Sequence, residues 1–303
     1  MNELLTVPKS ISATAKERIA RDEAAYQAGI DRAREIVLEK KARFIFLAGP
    51  SCSGKTTTSQ RLIDALEEKG LRVASFSTDD FFFNADRAPR NPDGSPNYDS
   101  PEHTDFDSIR HSLSLLENGG VAQIPVFDFL TSSRTDRTTH LDSANYDVFI
   151  LEGIHALNDR ILSALSHREQ SVCLYLNATC AVRAEGCDEA LSPQEVRFCR
   201  RLIRDFKHRG ADAAWTYKLW QNVIPMEKII LEPFIKNADL ILKTDFLCEI
   251  PMEKSEVLAV LSALPEKNVF YPKAQQLAKK LIPFPALPAS LCPARSVLKE
   301  FID

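Results

Sequence analysis

The stretch GPSCSGKT, residues 49–56, fits the spacing G-x-x-x-x-G-K-[ST]. FIFLA, residues 44–48, precedes it and reads as a buried strand. KTTTSQRLIDALEEKG follows as a helix, with Leu62, Ile63 and Leu66 turned inward and Gly70 as its stop. A strand that must reverse into a helix here needs a tight turn, and Gly49 and Gly54 supply it without a Cβ in the way. The first N–H groups of such a helix have no partner within the helix, and the turn aims them at one point. This is an anion cradle, and phosphate is its natural occupant. The expected phosphate-holding residues are Gly49, Pro50, Ser51, Cys52, Ser53, Gly54, Lys55, Thr56 and Thr57. Lys55 would reach the outer phosphates of a nucleotide, and the Thr56 hydroxyl would face Mg²⁺.

A cradle of this kind specifies a nucleotide but no reaction. The rest of the chain narrows the fold. LRVASFS, YDVFILEG, SVCLYLN and ADLILKT supply four further strands, apolar almost throughout and separated by helical stretches. Continuous apolar strands belong to parallel sheets covered on both faces. The expectation is an α/β fold of the P-loop NTPase type: a parallel sheet with helices on both faces and an arginine-bearing lid helix. Residues 13–41 lack proline and carry a helical stripe of Ile19, Tyr26, Ile30, Ile36 and Val37. Residues 84–104 are polar, with four prolines, and a stretch this irregular inside a compact domain is usually functional or disordered. The end of the chain resembles a proline-punctuated tail packed over the surface. The expected organisation is a helical extension over 1–42, a P-loop body over 43–250 with a lid near 192–211, and a C-terminal helical and proline-rich segment over 251–303 packed on that body.

Composition excludes other classes. The net charge of −4 over 303 residues argues against a nucleic-acid coat, which carries a basic surplus. No apolar run reaches membrane-spanning length. The opening MNELLTVPKS lacks the regions of a secretory signal, so a cytoplasmic protein is expected. The seven cysteines form no CxxC, and Cys180, Cys187, Cys199 and His208 match no common zinc spacing. Reduced, mostly buried thiols are expected.

Two further features carry chemistry. In SFSTDDFFFN, period-two alternation turns Ser75, Ser77 and Asp79 to one side and Asp80 to the other, so the neighbouring carboxylates have different roles. Glu152 closes the strand VFILE, where an acidic residue helps hold a metal. In SPQEVRFCRRLIRDFKHRG, Ser192, Pro193 and Glu195 combine an N-cap, an N1 proline and a capping box. Arg197, Arg201, Arg204 and His208 then share one helical face, with Arg200 and Arg209 beside it, while Phe198, Leu202 and Phe206 form an apolar face. Such a stripe repels itself unless anions lie across it, or unless local carboxylates such as Asp205 and Glu195 neutralise it. With a phosphate cradle in the same chain, these arginines would close over a triphosphate and exclude water.

In order along the chain, GPSCSGKTT, STDDFF, PNYDSPEHTDFD, IPVFDFLTSSR, ILEGIHAL, RRLIRDFKHRG and ADLIL resemble the uridine kinase and phosphoribulokinase family of P-loop kinases. The likeness is greatest to the kinase half of bacterial two-part nucleoside kinases, whose other half is related to the N-terminal domains of threonyl-tRNA synthetases. It covers roughly residues 44–300. The resemblance implies an enzyme that transfers phosphate from ATP or GTP, with Mg²⁺, to a sugar hydroxyl of a nucleoside. It implies Asp79 as general base and metal-side carboxylate with Thr56 and Glu152. Lys55, Arg204 and Arg209 would act on the phosphates. The acceptor would lie against Asp99, Phe82, Phe127, Arg134 and Arg201. The rivals by chemistry are a phosphoribulokinase- or pantothenate-type kinase for another hydroxyl, and a P-loop ATPase or nucleotide sensor. Where the uridine-cytidine kinases carry base-reading groups, this chain has Phe127, Ser132, Ala211 and Leu219. A site without those groups does not select the pyrimidine edge strongly. Homo-oligomerisation is compatible with the resemblance; nucleic-acid and membrane partners are not expected.

Overall fold

The computed structural model describes residues 3–90, 94, 97, 100–129 and 131–302. Its centre is a five-stranded parallel sheet of β2 (Phe44–Ala48), β3 (Val73–Ser77), β6 (Val148–Glu152), β7 (Ser171–Asn177) and β9 (Leu240–Lys243), in the order β3-β6-β2-β7-β9. These are the five strands expected from the apolar runs. Register is fixed by pairs such as Ile45 with Ile150 and with Val172.

The alternation along each strand builds two cores. Ile45, Leu47, Val148, Ile150, Val172 and Leu174 face one side, where they meet α1 (Ile11–Lys40), α2 (Lys55–Glu67), α7 (Glu249–Ser262) and α8 (Tyr271–Leu281). Phe44, Phe46, Phe149, Leu151, Cys173 and Tyr175 face the other, against α3 (Phe106–Glu117) and α4 (Asp159–Leu162). Each fully buried large apolar side chain is worth about 1.5–3 kcal/mol relative to exposure, so both layers hold the sheet. Helix α1 belongs to the first core: Ile19, Tyr26, Ile30 and Val37 are buried, and the Tyr26 hydroxyl bonds the Thr58 hydroxyl of α2 at 2.5 Å.

Several elements lie outside the sequence expectation. The N-terminal extension is more than a helix: β1 (Leu4–Val7) precedes it and pairs in parallel with β8 (Ala181–Ala184). An antiparallel pair of β4 (Val121–Asp128) and β5 (Ser133–Asp142) buries Ala122, Ile124 and Leu141 in the second core, with its register shifted between Pro125 and Phe127. A boundary at residue 250 would cut α7 one residue after its first turn begins, because that helix is continuous from Glu249. The end of the chain is also not a surface tail. Its last helix, α9 (Lys299–Ile302), and the residues before it bury Val297, Leu298, Phe301 and Ile302 at no more than 3% exposure. All seven cysteines are free thiols, six of them buried. No described helix is long and apolar enough to cross a membrane.

Candidate active site

The phosphate loop leaves β2 at Ala48 and enters α2 at Lys55. Gly54 sits at φ 89, and a Cβ there would overlap a methyl of Val297, so glycine is required on two counts. Side chains from other elements fix the loop. The Ser51 N–H donates to Glu227 Oε1 at 3.0 Å, and its carbonyl accepts from Arg197 Nη1 at 3.0 Å. The Ser51 hydroxyl accepts from Arg201 Nη1 at 2.8 Å, and the Cys52 carbonyl accepts from Arg200 Nη1 at 3.0 Å. Lys55 curls over the loop, donating to the carbonyls of Gly49 at 3.1 Å and Pro50 at 3.2 Å.

The arginines come from α5 (Pro193–Arg209), which precedes α6 (Ala213–Ile230). Ser192 and Glu195 form the capping box, and Gly210, at φ 62, ends the helix. The faces differ from the sequence expectation. Arg200 is fully buried, held by Glu249 at 2.5 and 2.7 Å. Arg197 pairs with Glu227 at 2.7 Å. These two therefore build the loop rather than meet an anion. His208 is exposed, and Phe206 is 54% exposed instead of belonging to the apolar face. Each i+4 step advances about 40° round a 3.6-residue helix, so the third member of Phe198, Leu202 and Phe206 has drifted off the buried side.

What remains of the stripe is a charged cluster. Arg201 Nε meets Asp205 Oδ2 at 2.6 Å, and Arg204 and Arg209 approach Asp205 Oδ1 at 3.5 and 3.6 Å. Three guanidinium groups thus share one carboxylate. Burial, together with repulsion from Arg204 and Arg201, lowers Arg209 to about 10. Arg204 Nε is buried without a hydrogen-bond partner, as is the Ser53 hydroxyl of the loop. A cluster with surplus positive charge and an orphaned donor is chemically suited to a phosphate group.

Asp79 and Asp80 lie in a 3₁₀ turn, Thr78–Phe81, directly after β3. Asp80 accepts from the N–H of Ser77 and of Phe127, both at 3.4 Å, and so ties the turn to β4. Burial first, with Asp79 adding repulsion, raises its pKa. Asp79 instead lines a cavity of about 380 Å³. Ser51, Cys52, Lys55, Arg201, Arg204, Asp205 and Arg209 form its charged side; Phe82, Phe127, Phe129, Ile154, Trp215 and Leu219 form an apolar side. His103, Ser132 and Ala211 complete the lining. His103 is fully buried and stacked on Phe82 with ring centroids 5.0 Å apart. Burial, then the nearby Arg134, lowers it to about 4, so it is neutral at pH 7.

Other expected site residues stand elsewhere. Arg134 does not line this cavity, because its guanidinium has acceptors closer by: the carbonyls of Phe82 at 2.8 Å and Phe81 at 2.7 Å, and Asp105 at 3.2 Å. It braces the Asp79 turn against the start of α3. Thr57 donates to Glu300 at 3.3 Å. Asp99 lies outside the described residues. Phe129, His103, Ile154 and Trp215 were not singled out from the sequence. The aromatic content around IPVFDFL points toward Phe129 and the single histidine in PEHT toward His103.

The donor set Thr56, Asp79 and Glu152 fits Mg²⁺ in kind, because every ligand is a hard oxygen. Glu152 is pushed up to about 7 by burial; Lys55 partly offsets this, and Asp79 and Glu300 add to it. Of the three, only Asp79 is among the residues that line the cavity. Among the described residues no group of three or more His, Cys, Asp or Glu side chains forms a complete protein cage. The Thr56 side chain is solvent-exposed at the head of α2.

Sequence comparison with known proteins shows the family to which the chain belongs. The sequence profile of the Phosphoribulokinase / Uridine kinase family matches residues 44–183. A uridine kinase of Staphylococcus aureus is 30% identical over 204 residues, spanning 67% of this chain and 88% of that protein. A uridine kinase of Mycoplasma genitalium is 29% identical over 206 residues, spanning 68% and 86%. Among solved structures, a possible uridine kinase from Bacillus stearothermophilus aligns over 71% of this chain and 98% of its own, with a TM-score of 0.48 and 17% identity.

Proposed function

Since the chain belongs to the phosphoribulokinase/uridine kinase family of enzymes that phosphorylate hydroxyl groups, we propose that it transfers the terminal phosphoryl group of ATP to a sugar hydroxyl of a nucleoside. The observation that carries this reading is a single cavity shared by the phosphate loop, Asp79, three arginines and an aromatic wall. One end of that lining suits a phosphate chain and the other a flat, largely apolar body with a hydroxyl. A water-directed ATPase has no use for the aromatic side.

The roles follow from the chemistry. Phosphoryl transfer depends chiefly on positioning and charge stabilisation. Loop N–H groups and Lys55 hold the donor phosphates. Arg204 and Arg209 meet the charge that spreads over the transferred group, and Asp205 keeps their forks aimed. Arg201, anchored to Ser51, links the lid end of α5 to the loop. Asp79 orients the acceptor hydroxyl and takes its proton. Phe82, with His103 stacked beneath it, and Phe127 hold the body of the acceptor. Thr56, Glu152 and Asp79 are the residues that would hold Mg²⁺, which would supply charge neutralisation to the donor phosphates.

A second acceptor class has a specific observation in its favour. Phe127, Ala211 and Leu219 line the cavity with no side-chain hydrogen-bonding group, so these positions cannot read a pyrimidine edge. Incubation with Mg-ATP and a nucleoside panel, with products identified by mass, tests the reading. A nucleoside monophosphate is expected. No nucleoside product, together with a phosphorylated non-nucleoside alcohol in a parallel panel, would reassign the acceptor. ATP consumption independent of any acceptor would remove the kinase reading altogether.

A further inference from the structure

Residues 297–301 lie against the phosphate loop from outside the cavity. Val297 is fully buried, and one of its methyls occupies the space that a Cβ on Gly54 would take. Three residues on, Glu300 accepts a hydrogen bond from the Thr57 hydroxyl at 3.3 Å, in the first turn of α2. Phe301, also fully buried, lies under the Arg200 guanidinium at 5.4 Å, and Arg200 holds the Cys52 carbonyl at 3.0 Å. Three positions of the phosphate cradle, 52, 54 and 57, therefore rest on one short segment some 240 residues later in the chain, either directly or through Arg200. The segment is itself fastened. The Arg295 carbonyl accepts from Arg61 Nε of α2 at 2.8 Å, and the Ile302 carbonyl accepts from Lys207 of α5 at 3.2 Å.

We propose that residues 297–301 form a clasp that sets the conformation of the phosphate loop, with Val297 and Glu300 as positioning residues for the nucleotide donor. The physical case is one of space and orientation. Gly54 adopts a backbone conformation open to few other residues. A loop so rich in small residues has many conformations of similar energy, and donors hold a phosphate well only if packing locks their direction. Val297 closes the outer side of the bend, and Glu300 fixes the helix turn that follows it. The clasp lies outside residues 44–183, which the family profile matches, and none of its residues lines the cavity.

The test is direct binding of Mg-ATP and of Mg-GTP, by calorimetry, to the full chain and its variants, with melting temperature measured in parallel. Val297→Ala is compared with Leu287→Ala, which also empties a buried C-terminal site but lies beside Pro251 of α7. Val297→Ala is expected to weaken binding of the preferred nucleotide by about 5–150-fold, the ordinary range for coupling between two sites. Leu287→Ala is expected to lower the melting temperature and leave the dissociation constant within about twofold of wild type on the same scale. Glu300→Ala removes a half-buried side chain together with a negative charge felt by Glu152 and Arg204; losing the bond to Thr57 is expected to weaken binding in the same direction, which keeps the test open if Val297→Ala does not fold. Unchanged affinity in both clasp variants would overturn the proposal. So would an equal loss of affinity in Leu287→Ala, because loosening of the whole C-terminal region would then explain the effect. A wild-type chain that binds neither nucleotide would instead count against the kinase assignment and, with it, against the clasp.

Discussion

Arg200 of α5 holds the carbonyl of Cys52, in the phosphate loop, at 3.0 Å from a position of zero solvent exposure. The same guanidinium binds both oxygens of Glu249 and donates to the Thr244 carbonyl at 2.6 Å. An arginine that looks on the sequence like a flanking member of an anion-binding stripe is thus the peg on which the loop hangs. Breaking a buried ion pair by removing one partner typically costs about 3–5 kcal/mol, because the other charge is left uncompensated. Arg200→Met is therefore expected to lower unfolding free energy by about that amount, measured by urea denaturation. Glu249→Gln should fall in the same range, and the double variant should lose less than the sum of the two singles.

Arg209 and Arg204 stand apart from this structural role. They share Asp205 with Arg201, and the positive charge there exceeds what one carboxylate balances. Removing one preorganised donor from a site of developing charge typically lowers turnover by about 10²–10³. Arg204→Gln is expected to reduce kcat by that order while the melting temperature changes little. A steady-state assay with saturating donor and acceptor checks this, and a large fall in melting temperature with kcat preserved would move Arg204 into the structural class of Arg200.

His155 and His103 give the protein a defined acid sensitivity. Both are buried, and burial lowers each to about 4, against an ordinary value of 6.5. Arg160 adds to the effect at His155, and Arg134 at His103. The folded state therefore stays neutral at these rings while the unfolded chain takes up protons below pH 6.5. The stability this represents is complete above that pH and is lost as the pH falls from 6.5 toward 4. At pH 5.5 the loss is about 1 kcal/mol per ring. Thermal unfolding between pH 7.5 and 5 should show it. In His155→Gln the slope of melting temperature against pH over that window should be shallower than in wild type, whatever the offset between the two curves.

Phe127 and Leu219 line the cavity where a hydrogen-bonding group would let the site read a base edge. Phe127→Tyr adds one hydroxyl at the apolar side. If the acceptor is a nucleoside, the variant is expected to spread the kcat/KM values of different bases by roughly 10-fold, since a hydrogen bond in such a site contributes on the order of 0.5–1.5 kcal/mol. Competition between two nucleosides in one reaction measures the ratio directly. An unchanged ratio would show that residue 127 does not face the base.

The parts of this architecture legible in the sequence share one physical cause. The five central strands are buried on both faces, so each appears as an unbroken apolar run, and the cradle, helix start and capping box are local patterns a few residues long. What escaped depends on partners far along the chain. β5, SRTDRTTHLD, is largely exposed and polar, and β1 and β8 have four residues each, too few for periodicity to register. Arg200 is indistinguishable from a solvated arginine until Glu249 and Cys52 are brought to it. Arg134 stands in a plausible substrate loop by position, but the carbonyls of Phe81 and Phe82 claim its guanidinium. The prolines of the C-terminal segment suggested a surface path, whereas Val297 and Phe301 carry it into the core. Among the candidate site residues, Lys55, Asp79, Phe82, Phe127, Arg201, Arg204 and Arg209 share one cavity.

Asp79→Asn tests the central claim most directly. The substitution keeps the size of the side chain in the turn after β3 but removes its capacity to take a proton. General-base assistance by a positioned side chain is typically worth about 10²–10⁴ in rate. Single-turnover phosphoryl transfer from bound Mg-ATP, measured in wild type and Asp79→Asn with the acceptor identified by the panel, should fall by that factor while the dissociation constant for Mg-ATP stays close to wild type. Turnover within a few-fold of wild type would contradict the assignment of Asp79 as the base.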